Sequence, residues 1–210
     1  MISAYDSGCR RCSRLAAFLD QVKQERADYF CKPVPAFGDP EAKILIVGLA
    51  PGKHGANRSG RPFTGDHAGI LLYQTLHKFG LASAPTSTAT DDGLRLLGAR
   101  ITNAVKCLPP DNKPLPAEIK TCNGYLRVEL AQSPSVRVIL ALGTIAHAAV
   151  LKACSLAAAD FRFAHGALHD IGAGRLLLDS YHCSRYNTQT RRLTPAMFEA
   201  VFARAVELVR

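Results

Sequence analysis

Apolar positions recur at helical spacing over residues 13–27, where Leu15, Leu19 and Val22 share a face, which predicts a helix entered by a turn carrying Cys9 and Cys12. A Pro- and Gly-marked connection follows at residues 32–40. Residues 43–48 then read Lys-Ile-Leu-Ile-Val-Gly, a continuous β-branched run of the kind a parallel strand covered on both faces requires. A Gly/Pro-rich loop occupies residues 49–65, and helical spacing resumes after Asp66, a predicted N-cap, through Ile70, Leu71 and Phe79 to a stop at Gly80. Residues 81–98 mix Ser, Thr, Ala and Pro with Asp91-Asp92 and read as a surface connection. Further strands are predicted at residues 100–105, 136–142 and 175–180. Helices are predicted from Pro116, with Ile119, Cys122, Leu126 and Leu130 on one face, from Thr144 to about Cys154, and from Thr194-Pro195 to Arg210.

Strands alternating with helices in this way define an α/β chain, a three-layer α/β/α sandwich around a central, mainly parallel four-stranded sheet. Functional groups of such a fold sit at the carboxyl ends of the strands. Three polar clusters fall there: residues 48–69, Thr102-Asn103, and residues 181–187. The expected organisation is a single domain over residues 1–210, with no internal repeat.

With 210 residues, 48% of them hydrophobic and 20% charged, the chain has enough apolar material for one sizeable core. Lys plus Arg exceed Asp plus Glu by 26 to 17, a net charge of +9 that suits a polyanionic partner. The opening seven residues lack the apolar segment of a secretory signal, and residues 136–159 are interrupted by Arg137, Thr144, His147 and Lys152, which excludes a membrane span. A cytoplasmic protein is expected. Seven cysteines without an export signal argue against a disulfide framework and make metal ligation the first question.

Cys9 and Cys12 are separated by two residues, and Cys107 and Cys122 by fourteen. Four thiolates in two pairs close a tetrahedral zinc site or hold a cubane iron–sulfur cluster, and spacing alone does not choose between them. Cys107 and Cys122 also fit as buried core thiols. Cys31, Cys154 and Cys183 have no partner at ligand spacing and read as structural. The loop Gly48-Leu49-Ala50-Pro51-Gly52-Lys53-His54 is not a phosphate loop, because only three residues separate its glycines where four are needed and no Ser or Thr follows the lysine. Its exposed amides, with Pro51, Phe63 and Asp66, suit a pocket for a flat polar ring.

Residues 48–52, Gly-Leu-Ala-Pro-Gly, together with residues 54–66, His-Gly-Ala-Asn-Arg-Ser-Gly-Arg-Pro-Phe-Thr-Gly-Asp, resemble the first motif of the iron–sulfur uracil-DNA glycosylases, in particular their family 5 or b-type branch. Residues 102–110, Thr-Asn-Ala-Val-Lys-Cys-Leu-Pro-Pro, are similar to that family's middle motif, and residues 182–190, His-Cys-Ser-Arg-Tyr-Asn-Thr-Gln-Thr, to its last. One departure is Cys183, where the family usually carries Pro. The resemblance implies hydrolysis of the glycosidic bond of deoxyuridine in DNA, with the nucleotide rotated out of the duplex. It implies Asp66 and His182 as catalytic residues, the first toward an activated water and the sugar, the second as a donor to the base O2. It also implies Asn103 on the N3 and O4 edge of uracil, Phe63 against the ring, and the backbone of Gly48, Leu49 and Ala50 completing recognition. Ser184 and Arg185 belong to the loop that enters the minor groove, Arg185 filling the vacated stack. Cys9, Cys12, Cys107 and Cys122 match the ligands of a 4Fe–4S cluster with a structural role.

Each residue also has a plainer reading: Asp66 as a helix cap, Asn103 as a turn residue, His182 as a surface histidine, Phe63 as core and Arg185 as a solvated charge. Arg58, Arg61, Arg191 and Arg192 are candidates for phosphate contacts. The expected partner is DNA containing uracil or an abasic site, bound by a monomer. The rival functions are a catalytically weak DNA-lesion or abasic-site binding protein on the same scaffold, and a zinc-stabilised nucleotide-binding protein.

Overall fold

Each apolar run identified as a strand enters one sheet. The computed structural model describes residues 4–210; Met1, Ile2 and Ser3, part of the segment read as lacking a leader sequence, lie outside the described residues. The elements run α1 (Ser13–Glu25), β1 (Phe37–Gly38), β2 (Ile44–Gly48), α2 (Ala56–Ser59), α3 (His67–Lys78), β3 (Ala99–Asn103), α4 (Pro116–Ala131), β4 (Val138–Leu142), α5 (Thr144–Ala153), β5 (Leu168–Asp170), β6 (Leu176–Ser180), α6 (Arg185–Gln189) and α7 (Pro195–Glu207). The sheet has six strands in the order β1-β3-β2-β4-β6-β5, not the four expected. The inner four are parallel, and the two additional strands are antiparallel edges of two and three residues, too short for a periodic pattern to show.

Alternation along the parallel strands builds the two outer layers. Ile44, Ile46, Ile101, Val138, Leu140 and Leu178 face one side, where Leu72 and Leu76 of α3 and Phe198 and Phe202 of α7 cover them. Leu45, Val47, Ile139, Ala141 and Leu177 face the other, under Leu126 and Leu130 of α4 and Val150 and Leu151 of α5. From β2 the chain moves to β3 on one side and then to β4 on the other. That reversal opens a crevice at the carboxyl ends of the central strands, the place where sheets of this kind bind ligands.

Residues 81–98 are not the surface connection their composition suggested. Leu81, Ala82, Leu94 and Leu96 are buried in the first core, and Ala82 bridges Leu96. The segment is pinned by Asp92, whose carboxylate accepts from the Thr88 and Leu94 amides at 2.8 and 3.0 Å and pairs with buried Arg61 at 2.7 Å. Among the described residues no helix is long and apolar enough to cross a membrane.

Candidate active site and cysteine centre

The loops after β2, β3 and β6 converge. Leu49 and Ala50 follow β2, Phe63 and Asp66 end the glycine-rich loop, Asn103 ends β3, and His182, Ser184 and Arg185 follow β6; all of them line one cavity of about 410 Å³. Gly48 lies beneath it, in register with Asn103. A Cβ at Gly48 would stand 2.4 Å from Asn103 Oδ1 and 2.7 Å from Phe63 Cζ, so only glycine lets both side chains settle over the strand end. The cavity also takes in Gly52, Ala56, His67 and Ala68 of the cluster at residues 48–69, and Asn112, which sequence reasoning had not placed there. Asn112 follows Pro109-Pro110-Asp111, and both Asp111 and Asn112 adopt positive φ (54° and 56°); two prolines followed by Asp-Asn is the turn chemistry that marked the spot.

Phe63 is buried at φ 55°, a left-handed backbone uncommon for a bulky residue, and its ring stacks on His182 with centroids 5.9 Å apart and an interplanar angle of 27°. Asp66 serves as the N-cap of α3, its Oδ1 accepting from the Gly69 amide at 3.0 Å. Capping and pocket lining are therefore not alternatives for this residue. Its carboxylate packs over Gly52 and Gly55, where a Cβ at Gly55 would fall 2.4 Å from Oδ2. Burial raises its pKa above the usual carboxylate value, and the Gly69 and Ala68 amides partly offset that.

Asn103 is 2% exposed, and its Oδ1 has no hydrogen-bond partner. Burial pushes the His182 pKa down to about 4, so the imidazole is neutral near pH 7. Its carbonyl accepts from Asn187 Nδ2 at 2.8 Å, and Ser184 caps α6 through the Asn187 amide. Between them Cys183 is fully buried in the core, in keeping with a structural thiol.

Of the arginines considered for phosphate contacts, Arg58, Arg191 and Arg192 are exposed. Arg61 is not available: it is 4% exposed, paired with Asp92, bonded to Ser87 Oγ and the Thr90 carbonyl, and laid over the Phe37 ring. Its charge holds the segment 81–98 against the pocket loop.

Cys9, Cys12, Cys107 and Cys122 line a second, smaller pocket. Cys122 Sγ accepts from the Lys106 amide at 3.3 Å. Burial, together with Cys122, Cys9 and Cys12, pushes the Cys107 thiol up to about 12, a mutual repulsion between thiolates that a cationic centre would reverse. Ala50 packs into the same apolar cluster as Cys9, Cys12 and Cys107 while lining the larger cavity. Cys31 is buried, accepting from Asn57 Nδ2 at 3.4 Å, and Cys154 packs against the second core.

A parallel α/β/α sandwich that gathers an acid, a neutral histidine, an aromatic ring and a buried carboxamide around one cavity at the sheet's reversal point has the geometry of a ligand-binding site. The model of the uracil DNA glycosylase superfamily matches residues 35–205. The chain belongs to that superfamily. It is 51% identical over 207 residues to the type-5 uracil-DNA glycosylase of Thermus thermophilus, covering 96% of this chain and 94% of the relative. It is 41% identical to the type-5 uracil-DNA glycosylase of Pyrobaculum aerophilum, covering 94% and 87%. The crystal structure of Pedobacter heparinus SMUG2, 15% identical, superposes with a TM-score of 0.50 over 80% of this chain and 75% of that one, a likeness of fold.

Proposed function

We propose that this chain excises uracil from DNA by hydrolysing the N-glycosidic bond, the base turned out of the helix into the cavity beneath Phe63. The observation that carries this reading is Asn103 Oδ1, a buried acceptor with no protein partner in a cavity large enough for a nucleobase. Uracil presents an N3–H to that oxygen and an O4 to the amide N–H; cytosine lacks the N3–H and leaves the acceptor orphaned. The type-5 names of the relatives agree with it.

As the C1′–N1 bond breaks, its electron pair passes to the pyrimidine and positive charge grows on the sugar. The neutral imidazole of His182 donates to O2 where the negative charge collects. Asp66 faces the opposite charge, stabilises the sugar cation and takes a proton from the water that adds to C1′. Arg185 enters the minor groove and fills the vacated stack, and the exposed Arg58, Arg191 and Arg192 supply phosphate contacts, so affinity for DNA falls steeply with salt.

Cys9, Cys12, Cys107 and Cys122 would hold a 4Fe–4S cluster. When bound, it supplies a rigid cross-link between the entry to α1, the turn after β3 and α4; hydrolysis moves no net electrons and asks nothing more of it. A zinc ion with Zn–S bonds of about 2.3 Å draws its sulfurs within about 4 Å of one another. Iron, sulfide and zinc analysis of the purified protein decides between the two. A brown preparation with iron and sulfide in equal amounts, both lost in Cys107→Ala, is the expected outcome; stoichiometric zinc refutes it.

The protein acts in this reading as a cytoplasmic monomer over a single domain, on DNA containing uracil, and leaves an abasic site as its product. Incubation with a duplex carrying one uracil, followed by alkali, tests the function. Cleavage at the uracil position is expected; tight binding without an alkali-labile site means a lesion-binding protein.

A further inference from the structure

We propose that His165 is a positioning residue for His182, its neutral Nδ1 holding the backbone of Tyr181 at the point where β6 ends. The proposal rests on the assignment of His182 as the donor to the departing base.

The local geometry dictates the need. β5 and β6 form an antiparallel ladder that continues past the strand, through Asp179 N–H to the Ala167 carbonyl at 2.9 Å and Gly166 N–H to the Asp179 carbonyl at 2.8 Å. At Gly166 the chain turns away with φ 78°, a left-handed conformation suited to glycine. The next ladder donor on β6, the Tyr181 N–H, is left without a backbone acceptor. His165 Nδ1 takes that place at 3.2 Å, a side chain substituting for the missing ladder carbonyl one residue before His182. The imidazole also stacks on the Tyr181 ring, with centroids 5.1 Å apart and 21° between planes.

An imidazole nitrogen that accepts from an amide carries no proton. The proton therefore belongs on Nε2. Burial lowers the pKa of His165, and the Met197 carbonyl partly offsets this. The other charged groups at this end of β6 are engaged with neighbours of their own. The Arg192 guanidinium lies 4.7 Å from the Tyr181 ring centroid, and Arg204 of α7 donates to the Gly166 carbonyl at 3.1 Å. Asp179, at the end of β6, is engaged with His147 Nδ1 at 2.8 Å and His169 Nε2 at 3.3 Å. Protonation of His165 sets an N–H against the Tyr181 N–H, breaks the bond and releases the backbone that carries His182. The Phe163 ring, 6.2 Å from that of Tyr181, completes the surround.

The test combines one measurement on the unaltered holoenzyme with two variants. Long-range ¹⁵N–¹H spectra of the wild type should show His165 as the Nε2–H tautomer at neutral pH; the Nδ1–H tautomer overturns the proposal whatever the variants do. His165→Phe keeps an aromatic ring beside Tyr181 but cannot accept. It should slow single-turnover excision of uracil about tenfold, the scale of one net hydrogen bond, while DNA affinity stays within about twofold. His165→Asn retains an acceptor oxygen without titrating. It should recover most of that loss, and its rate relative to wild type should rise as the pH falls through the lowered pKa of His165, with the acid limb set by Asp66 remaining. A wild-type rate for His165→Phe, or an Asn variant as slow as the Phe variant, overturns the proposal. His182→Ala serves as the control for the underlying assignment: if it excises at the wild-type rate, His182 is not the donor, and the tautomer of His165 still reports separately on the bond to Tyr181.

Discussion

Truncating Asn103 to alanine moves stability and recognition in opposite directions. In the free protein Oδ1 is buried and unpartnered, a state that costs about 1–3 kcal/mol. Deleting it recovers that amount, and the lost packing of the carboxamide costs back about 1–2 kcal/mol, as for other small buried truncations. The net change in folding free energy is therefore within about 1–2 kcal/mol of zero. With uracil bound, the same deletion leaves the N3 and O4 edge unpaired in a desolvated pocket, about 1–3 kcal/mol, or roughly 5- to 150-fold in kcat/KM. Urea unfolding and single-turnover excision of uracil, run on the same preparations, read the two effects, and cytosine serves as the comparison base. A variant that loses more than about 3 kcal/mol of stability while excising uracil at the wild-type rate refutes the reasoning, because Oδ1 would then be a structural acceptor.

Asp66→Asn should lower excision by at least about 10²-fold, the scale of a lost acid–base group, while retaining the helix cap, since Asn caps as well as Asp. The pKa of Asp66 is raised in the fold, so its buried charge is a burden at neutral pH that disappears as the carboxylate protonates. The Asn variant should therefore equal or exceed wild type in thermal stability near pH 7, with the gap closing as the pH falls through that raised pKa; a gap that widens toward acid contradicts it. For the same reason the wild-type rate should fall in acid, because the ionised carboxylate is the working form. Asp92→Asn strands the Arg61 guanidinium in a site where it is 4% exposed and should cost about 3–5 kcal/mol, measured by chemical denaturation, with Arg61→Met milder. Asp92 is held well below the usual carboxylate range, chiefly by Arg61 and the Thr88, Leu94 and Ala89 amides, against the opposing effect of burial, so its contribution is present above about pH 4 and lost as the pH drops further. A stability loss below about 1 kcal/mol would mean the pair is solvated.

The parallel strands were legible because both faces of each are covered, which leaves an unbroken apolar run in the sequence. The edge strands β1 and β5 were not, because two or three residues carry no period and are set by pairing with a neighbour distant in the chain. Asp66, Asn103, Phe63 and His182 were found through the motifs around them, and the structure brings all four to one cavity. Arg61 was misread for an instructive reason. A charge in a glycine-rich loop looks solvated, and nothing near it in sequence announces that Asp92 waits 31 residues away. The same pair explains why residues 81–98, polar by composition, carry four buried hydrophobes that no regular spacing reveals. His165 was invisible for a related reason: its partner is a backbone amide exposed by a turn at Gly166, and sequence patterns do not record vacancies in a ladder.

Ala50 stands with one side toward the cavity and the other among the cysteines. Ala50 thus touches both the cavity lining and the apolar cluster around the cysteines. Engineering that reshapes base selectivity by enlarging residue 50 will press on the sulfur ligands at the same moment, so variants at this position should be screened for metal content alongside substrate range.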